Sequence, residues 1–162
     1  MLATFKPGNG ITLTISSNAE KISLVCEALH ALCLYASGSP ACALEVQHAA
    51  VEALNNVIIH AYHNQPNHEI TVRWSQEERL LRIEIIDTGT SMTFLPEPLL
   101  PDFAKEGSRG WWIINACVDD YYYQTIGQSE QAPLLRPGEK YPAIAALTAQ
   151  PHQNILTFMK RF

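Results

Sequence analysis

From Pro40 to His63 the chain reads as one long helix that cannot lie on a surface. Ser39 is a natural N-cap and Pro40 a natural first helical residue. Val51, Leu54, Val57, Ile58 and Ile59 then cover most of the circumference of its second half, "VEALNNVIIHAY". A helix apolar over so much of its surface is largely buried. One stripe interrupts this: Glu52, Asn56 and His60, spaced i, i+4, i+8 and therefore on one face. Burying a charge and an amide is costly unless both find partners. The plain explanation is a solvated edge or an internally satisfied polar cluster. The sharper one is a cavity holding a cation, a water or a phosphate. An asparagine oxygen suits Mg²⁺ where phosphates share the site, and a carboxylate one turn away can take a proton from an attacking hydroxyl.

The other elements follow from periodicity. "ITLTIS" (11–16) alternates as a strand. A helix follows, with Ser17 and Glu20 as a capping box and Ile22, Val25, Cys26, Leu29, Leu32 and Cys33 at helical spacing. "EITVRW" (69–74) and "LLRIEIID" (80–87) form an antiparallel hairpin around "SQEER". "WWIINACVDD" reads as a short helix, with Trp111 and Trp112 as core and surface aromatics, "YYYQTI" as a strand and "NILTFMKR" as the last strand. Residues 88–109 and 127–152 have no clear period; loops that long in a compact domain are commonly lids or disordered. The order β-α-α-β-β-loop-α-β-insert-β, without internal repeats, predicts a single α+β domain over 1–162. Its sheet is mostly antiparallel, with helices on one face.

Composition excludes several classes. The net charge of -5, with no run of Lys or Arg, argues against a nucleic-acid surface. No apolar run approaches the ~20 residues of a membrane span. The opening "MLATFKPGNG" has no apolar signal-peptide core. Cys26, Cys33, Cys42 and Cys117 are scattered without a CxxC pair, which predicts a reducing, cytoplasmic setting.

Two short motifs remain. "IEIIDTGTSM" ends a strand in Asp87-Thr88-Gly89, as in an aspartic protease. That chemistry needs two aspartates sharing a proton. Here it would require a symmetric dimer and an almost all-β body, which two long helices contradict. "EGSRGWWII" sets Gly107 and Gly110 around Ser108 and Arg109 before a helix. Glycines permit close backbone approach to a phosphate, and a helix start with a nearby guanidinium favours an anion. Alone, a GxxG is equally a flexible loop.

Taken in order, E-x-x-x-N-x-x-x-H-A-Y (Glu52, Asn56, His60, Ala61, Tyr62), D-x-G (Asp87, Gly89) and G-x-R-G-W-W-I-I resemble the serine/threonine kinase branch of the GHKL ATPases. These are the bacterial anti-sigma factors that phosphorylate an anti-anti-sigma protein. The resemblance covers roughly residues 11–126, and "NILTFMKR" fits the family's last strand. It implies the Bergerat fold, a two-layer α/β sandwich with ATP held between helices and sheet under a lid at 88–109. It further implies that Asn56 ligates Mg²⁺ and that Glu52 activates the acceptor serine. Asp87 would accept from the adenine amino group and Gly89 would give the base room. Gly107 and Gly110 would line the phosphates, with His60 and Arg109 also on the nucleotide. The implied partners are a STAS-domain anti-anti-sigma protein and a sigma factor or other regulator, and a homodimer is compatible. A chain of this shape without catalysis would sequester a regulator by contact alone. The family's second glycine after the aspartate is Ser91 here, and its G-G-R-G is "GSRG". Each serine puts a side chain where positive φ or close approach to nucleotide is expected.

Overall fold

A computed structural model describes residues 10–100, 109–142 and 144–162. Strand β1 (Gly10–Ser16) leads into helices α1 (Ala19–Ser37) and α2 (Pro40–Asn56). The hairpin β2 (Glu69–Glu77) and β3 (Leu80–Asp87) follows, then α3 (Arg109–Cys117) and β4 (Asp120–Gly127). A short α4 (Ala145–Thr148) precedes β5 (His152–Arg161). The strands form one sheet in the order β1-β2-β3-β5-β4, and every neighbouring pair is antiparallel. This is the expected α+β sandwich.

The core lies between one face of the sheet and the helices. Alternation in β3 turns Leu81, Ile83, Ile85 and Asp87 to the same side. The register sets Ile83 opposite Phe158, Ile85 opposite Leu156 and Asp87 opposite Asn154. These apolar side chains share one buried cluster with Leu29 of α1 and with Val46 and Leu54 of α2. Cys26, Cys33 and Cys42 are free thiols buried in it. Trp111 is buried and stacks on Tyr121 (centroids 6.1 Å apart), whereas Trp112 reaches the surface.

Several boundaries differ from the sequence reading, each for a local reason. Ser17 does not cap α1. Its hydroxyl donates to Gln65 O (2.7 Å) and accepts from His68 N–H (3.0 Å), tying the start of α1 to the loop before β2. Asn18 takes the N-cap position without a side-chain bond. Strand β2 runs on to Glu77, so the hairpin turn is two residues, with Glu78 at φ 54°.

The long helix loses its α period after Asn56. Val57–Ala61 forms a widened turn in which Tyr62 N–H reaches back five residues to Val57 O (3.0 Å). His63, Asn64 and Asn67 then adopt positive φ and carry the chain out of the helix.

The long irregular segments are fastened to the sheet where they are described. Tyr123 and Leu135 exchange backbone bonds (3.0 and 2.8 Å), so the insert runs back along the outer edge of β4. Leu95 N–H donates to Glu139 O and Tyr141 N–H to Thr93 O, which fastens the first half of the 88–109 segment to the same insert. Leu95 is fully buried. The expected lid at 88–109 falls partly on residues 101–108, which lie outside the described residues.

The two helix starts give a matched test. Ser39 Oγ accepts Cys42 N–H at 3.1 Å, whereas Asn18 makes no such bond. Ser39→Ala should cost about 1 kcal/mol of unfolding free energy, and Asn18→Ala clearly less, by urea denaturation. Equal losses would contradict the assignment of the caps.

Candidate functional site

Asp87 ends β3 on the buried face, 5% exposed. Its Oδ1 accepts Gly89 N–H (2.9 Å) and the side-chain amide of Asn154 (2.8 Å). Burial pushes the carboxyl from its usual 3.8 up to about 6, against the opposing pull of the Asn154 and Gly89 bonds and of nearby His152. Among the described residues no second carboxylate is hydrogen-bonded to Asp87, so the protease-like spelling of "DTG" has no dyad here.

Asn154, a residue that sequence reasoning missed, supports Asp87 directly. It lies on β5 directly across from Asp87 and is wholly buried. Its Nδ2 donates to Asp87 Oδ1 and to Gly89 O (2.9 Å). Its Oδ1 accepts from Ser91 Oγ (2.5 Å) and Thr125 Oγ1 (3.1 Å). All four hydrogen-bonding capacities of one amide are thus used. The available signal was an amide in the strand "NILTF", a costly residue to bury without a purpose.

Gly89 has a reason beyond the one the resemblance implied. A Cβ there would stand 2.3 Å from Ala61 O and 2.9 Å from the Tyr62 ring. Thr90 N–H donates to that same Ala61 oxygen (2.9 Å), and Tyr62 OH accepts Thr88 N–H (2.9 Å). The end of the long helix and the Asp-Thr-Gly turn are thus stapled together, and only glycine lets the two backbones meet so closely. Ser91, one of the two departures from the family's glycines, has no positive φ. Its side chain is part of the support beneath Asp87.

The polar stripe meets α3. A Cβ on Gly110 would lie 3.1 Å from Glu52 Oε2 and 3.8 Å from Asn56 Nδ2, so α3 presents a glycine to both stripe residues. Glu52 and Asn56 are half-buried, and Asn56 Nδ2 is buried without a hydrogen-bond partner. His60 stands exposed on the widened turn, where the shift of period takes it off the i, i+8 line. Arg109 opens α3 and is exposed. Gly107 and Ser108 lie outside the described residues.

The structure therefore brings Glu52, Asn56 and Gly110 together, and separately Asp87, Gly89, Ser91 and Asn154. A cavity of about 670 Å³ opens beside the second group, lined by Thr88–Ser91, Thr93, Ile144, Thr148 and His152. Neither Glu52 nor Asn56 lines it.

These residues suit Mg-ATP. The orphaned Asn56 amide can donate to a phosphate oxygen or, turned over, offer its oxygen to a cation. Among the described residues no three His, Cys, Asp or Glu side chains converge as a metal cage. A divalent ion would thus rely on Asn56 together with phosphate oxygens, the usual habit of Mg²⁺.

Asp87 also sets a stability prediction. Its folded-state value is raised, so its stabilising contribution is complete below about pH 4 and is lost as pH rises through about 6. Asp87→Asn keeps an acceptor oxygen and removes the charge. It should stabilise the free protein at pH 7 by up to roughly 3 kcal/mol and gain nothing at pH 4. Thermal unfolding at both pH values reads this; a variant less stable at pH 7 would contradict it.

No helix among the described residues is long and apolar enough to cross a membrane. Residues 15–132 match the histidine kinase-like ATPase domain family. Over 81 residues the chain is 31% identical to the anti-sigma F factor of Oceanobacillus iheyensis, an alignment covering 46% of this chain. It spans about half, 55%, of that relative's length. The α+β sandwich agrees with that match, and this chain belongs to the histidine kinase-like ATPase domain family.

Proposed function

We propose that the protein is an anti-sigma-type serine/threonine kinase that binds Mg-ATP and phosphorylates a serine on a STAS-type anti-anti-sigma partner. The observation that carries this reading is the meeting of Glu52, Asn56 and Gly110. It joins a carboxylate, an amide with an unspent donor and a glycine where backbone can approach closely. A core-facing helix has no structural need for that pair. ATP with Mg²⁺, when bound, supplies the phosphoryl group and neutralises charge.

The chain's own residues divide the remaining work. Asp87 accepts from the exocyclic amine of adenine and thereby orients the base. Asn56 holds the metal and phosphates. Gly110 borders the phosphates, and Arg109 and His60 contribute at the rim. Glu52 takes the proton from the acceptor serine hydroxyl, as a general base. Phosphoryl transfer depends mostly on positioning and charge stabilisation, so these few groups suffice.

A second reading keeps the fold and drops the transfer, leaving a module that sequesters a sigma factor or similar regulator. It draws on α1, which exposes Leu24 and Tyr35 three turns apart and nearly in line, beside Leu34. Either reading places the protein in partner-switching control of transcription in the cytoplasm.

Incubation with Mg-ATP and a STAS-domain protein, followed by phosphoserine detection by mass spectrometry, separates the two. Within the kinase reading, Glu52→Gln should leave nucleotide affinity nearly unchanged and lower the transfer rate ~10²–10⁴-fold. Asn56→Ala should weaken Mg²⁺-dependent nucleotide binding itself. A Glu52→Gln protein that phosphorylates at the wild-type rate makes Glu52 structural. No transfer by the wild type, with nucleotide still bound, favours the sequestering module.

A further inference from the structure

The four bonds of Asn154 have a consequence for base selection, resting on the nucleotide reading above. Asp87 Oδ1 and Gly89 O can only accept while the acid is ionised. The amide of Asn154 must then turn its NH₂ toward them. Its oxygen is held in that orientation from behind by two hydroxyls, Ser91 on the loop and Thr125 on β4. The orientation follows from the chemistry of the neighbours. Rotation of the amide by half a turn would set its oxygen against Asp87 Oδ1 and Gly89 O, and would oblige both hydroxyls to turn and accept from its NH₂ instead.

We propose that Asn154, braced by Ser91, is a positioning and specificity-determining residue: it holds Asp87 as an ionised, oriented acceptor and so selects a base carrying an exocyclic amine over one carrying an oxo group. An ionised carboxylate accepts from an amine and repels a carbonyl oxygen. A protonated one can donate to that carbonyl instead. Base preference therefore depends on which form Asp87 takes at working pH. Burial raises its titration toward neutrality, and the Asn154 bond opposes that rise. The other titratable groups bearing on Asp87 are His152 at the start of β5 and Tyr123 on β4, with Tyr141 behind Thr125. His152 lies with one ring nitrogen 2.8 Å from Gly89 O and the other 3.0 Å from Gln150 O. Ser91 thus appears where the family has a glycine because, in this chain, it orients the residue that orients the acid.

The test follows Asp87 directly. Carbon-13 NMR of the free protein gives its titration in wild type, Asn154→Leu and Ser91→Ala. Loss of a hydrogen bond to a charged group should move the midpoint up by about one unit in Asn154→Leu, and by less in Ser91→Ala. Calorimetry with ADP and inosine diphosphate, which carries an oxo group in place of the amine, gives the preference. Wild type should favour ADP by about tenfold or more at pH 8. In Asn154→Leu the preference should shrink at pH 7 and return by pH 9, a recovery that mere loss of packing would not produce. If Asn154→Leu fails to fold, Ser91→Ala, which removes one hydroxyl, carries both readouts. An Asp87 midpoint unchanged in the variants that fold, or a loss of ADP affinity with no recovery at high pH, overturns the proposal. If wild type binds neither diphosphate, the nucleotide reading falls together with the claim of base selection. The NMR titration then still decides whether Asn154 positions Asp87.

Discussion

A carboxylate at the buried end of β3 is the constraint on which this end of the molecule depends. Burying such a group costs several kcal/mol unless it is well bonded. The chain answers with Gly89 N–H and the amide of Asn154. That amide then needs hydroxyls, which Ser91 and Thr125 supply. Thr125 N–H in turn donates to Tyr141 OH from the insert, and Met92 N–H to Tyr123 OH on β4. One buried acid thus draws together the loop after β3, two strands and the insert. A segment that reads as an unstructured excursion is thereby bonded to the strand that supports Asn154.

A second set of contacts fixes the other half. Lys160 on β5 is bonded both to Glu45 of α2 and to the Cys117 carbonyl at the end of α3. A charged group at a helix C-terminus suits the carbonyls there. The triangle sets α3 against α2, and that packing turns Gly110 toward Glu52 and Asn56. The widened turn at Val57–Ala61 links the halves, because it delivers Ala61 O to Thr90 N–H. Such turns recur at functional sites. Here the turn carries the helix bearing Asn56 onto the loop bearing Gly89.

What was legible in the sequence was what local period and residue type encode. The strands, the three main helices and the glycine-flanked start of α3 follow from alternation, helical spacing and caps. Glu52, Asn56, Asp87 and Gly110 stood out as polar or glycine residues in apolar surroundings. Asn154 did not, because its meaning comes from a register that pairs it with Asp87 across 67 residues of chain. Ser17 read as a cap because its neighbours fit a capping box, yet a loop far along the chain claimed its hydroxyl. The widened turn was invisible for a related reason. Its apolar residues satisfy an α period as well as a π one, and only the loop docking on Ala61 distinguishes them. Ser91 looked like a defect when judged against glycine, and the missing information was the partner behind it.

The central claim is that Asp87 with its Asn154 support, and Asn56 with Gly110, are two ends of one nucleotide site. Amide and side-chain NMR shifts on titration with Mg-ADP test it most directly. The account predicts saturable changes at Gly89, at the Asn154 side chain, at Asn56 and at Gly110 with a single affinity, and loss of the Asn56 and Gly110 changes when Mg²⁺ is withheld. Changes confined to Thr93, Ile144 and Thr148 in the neighbouring cavity, with Asn56 and Gly110 unmoved at saturation, would contradict it.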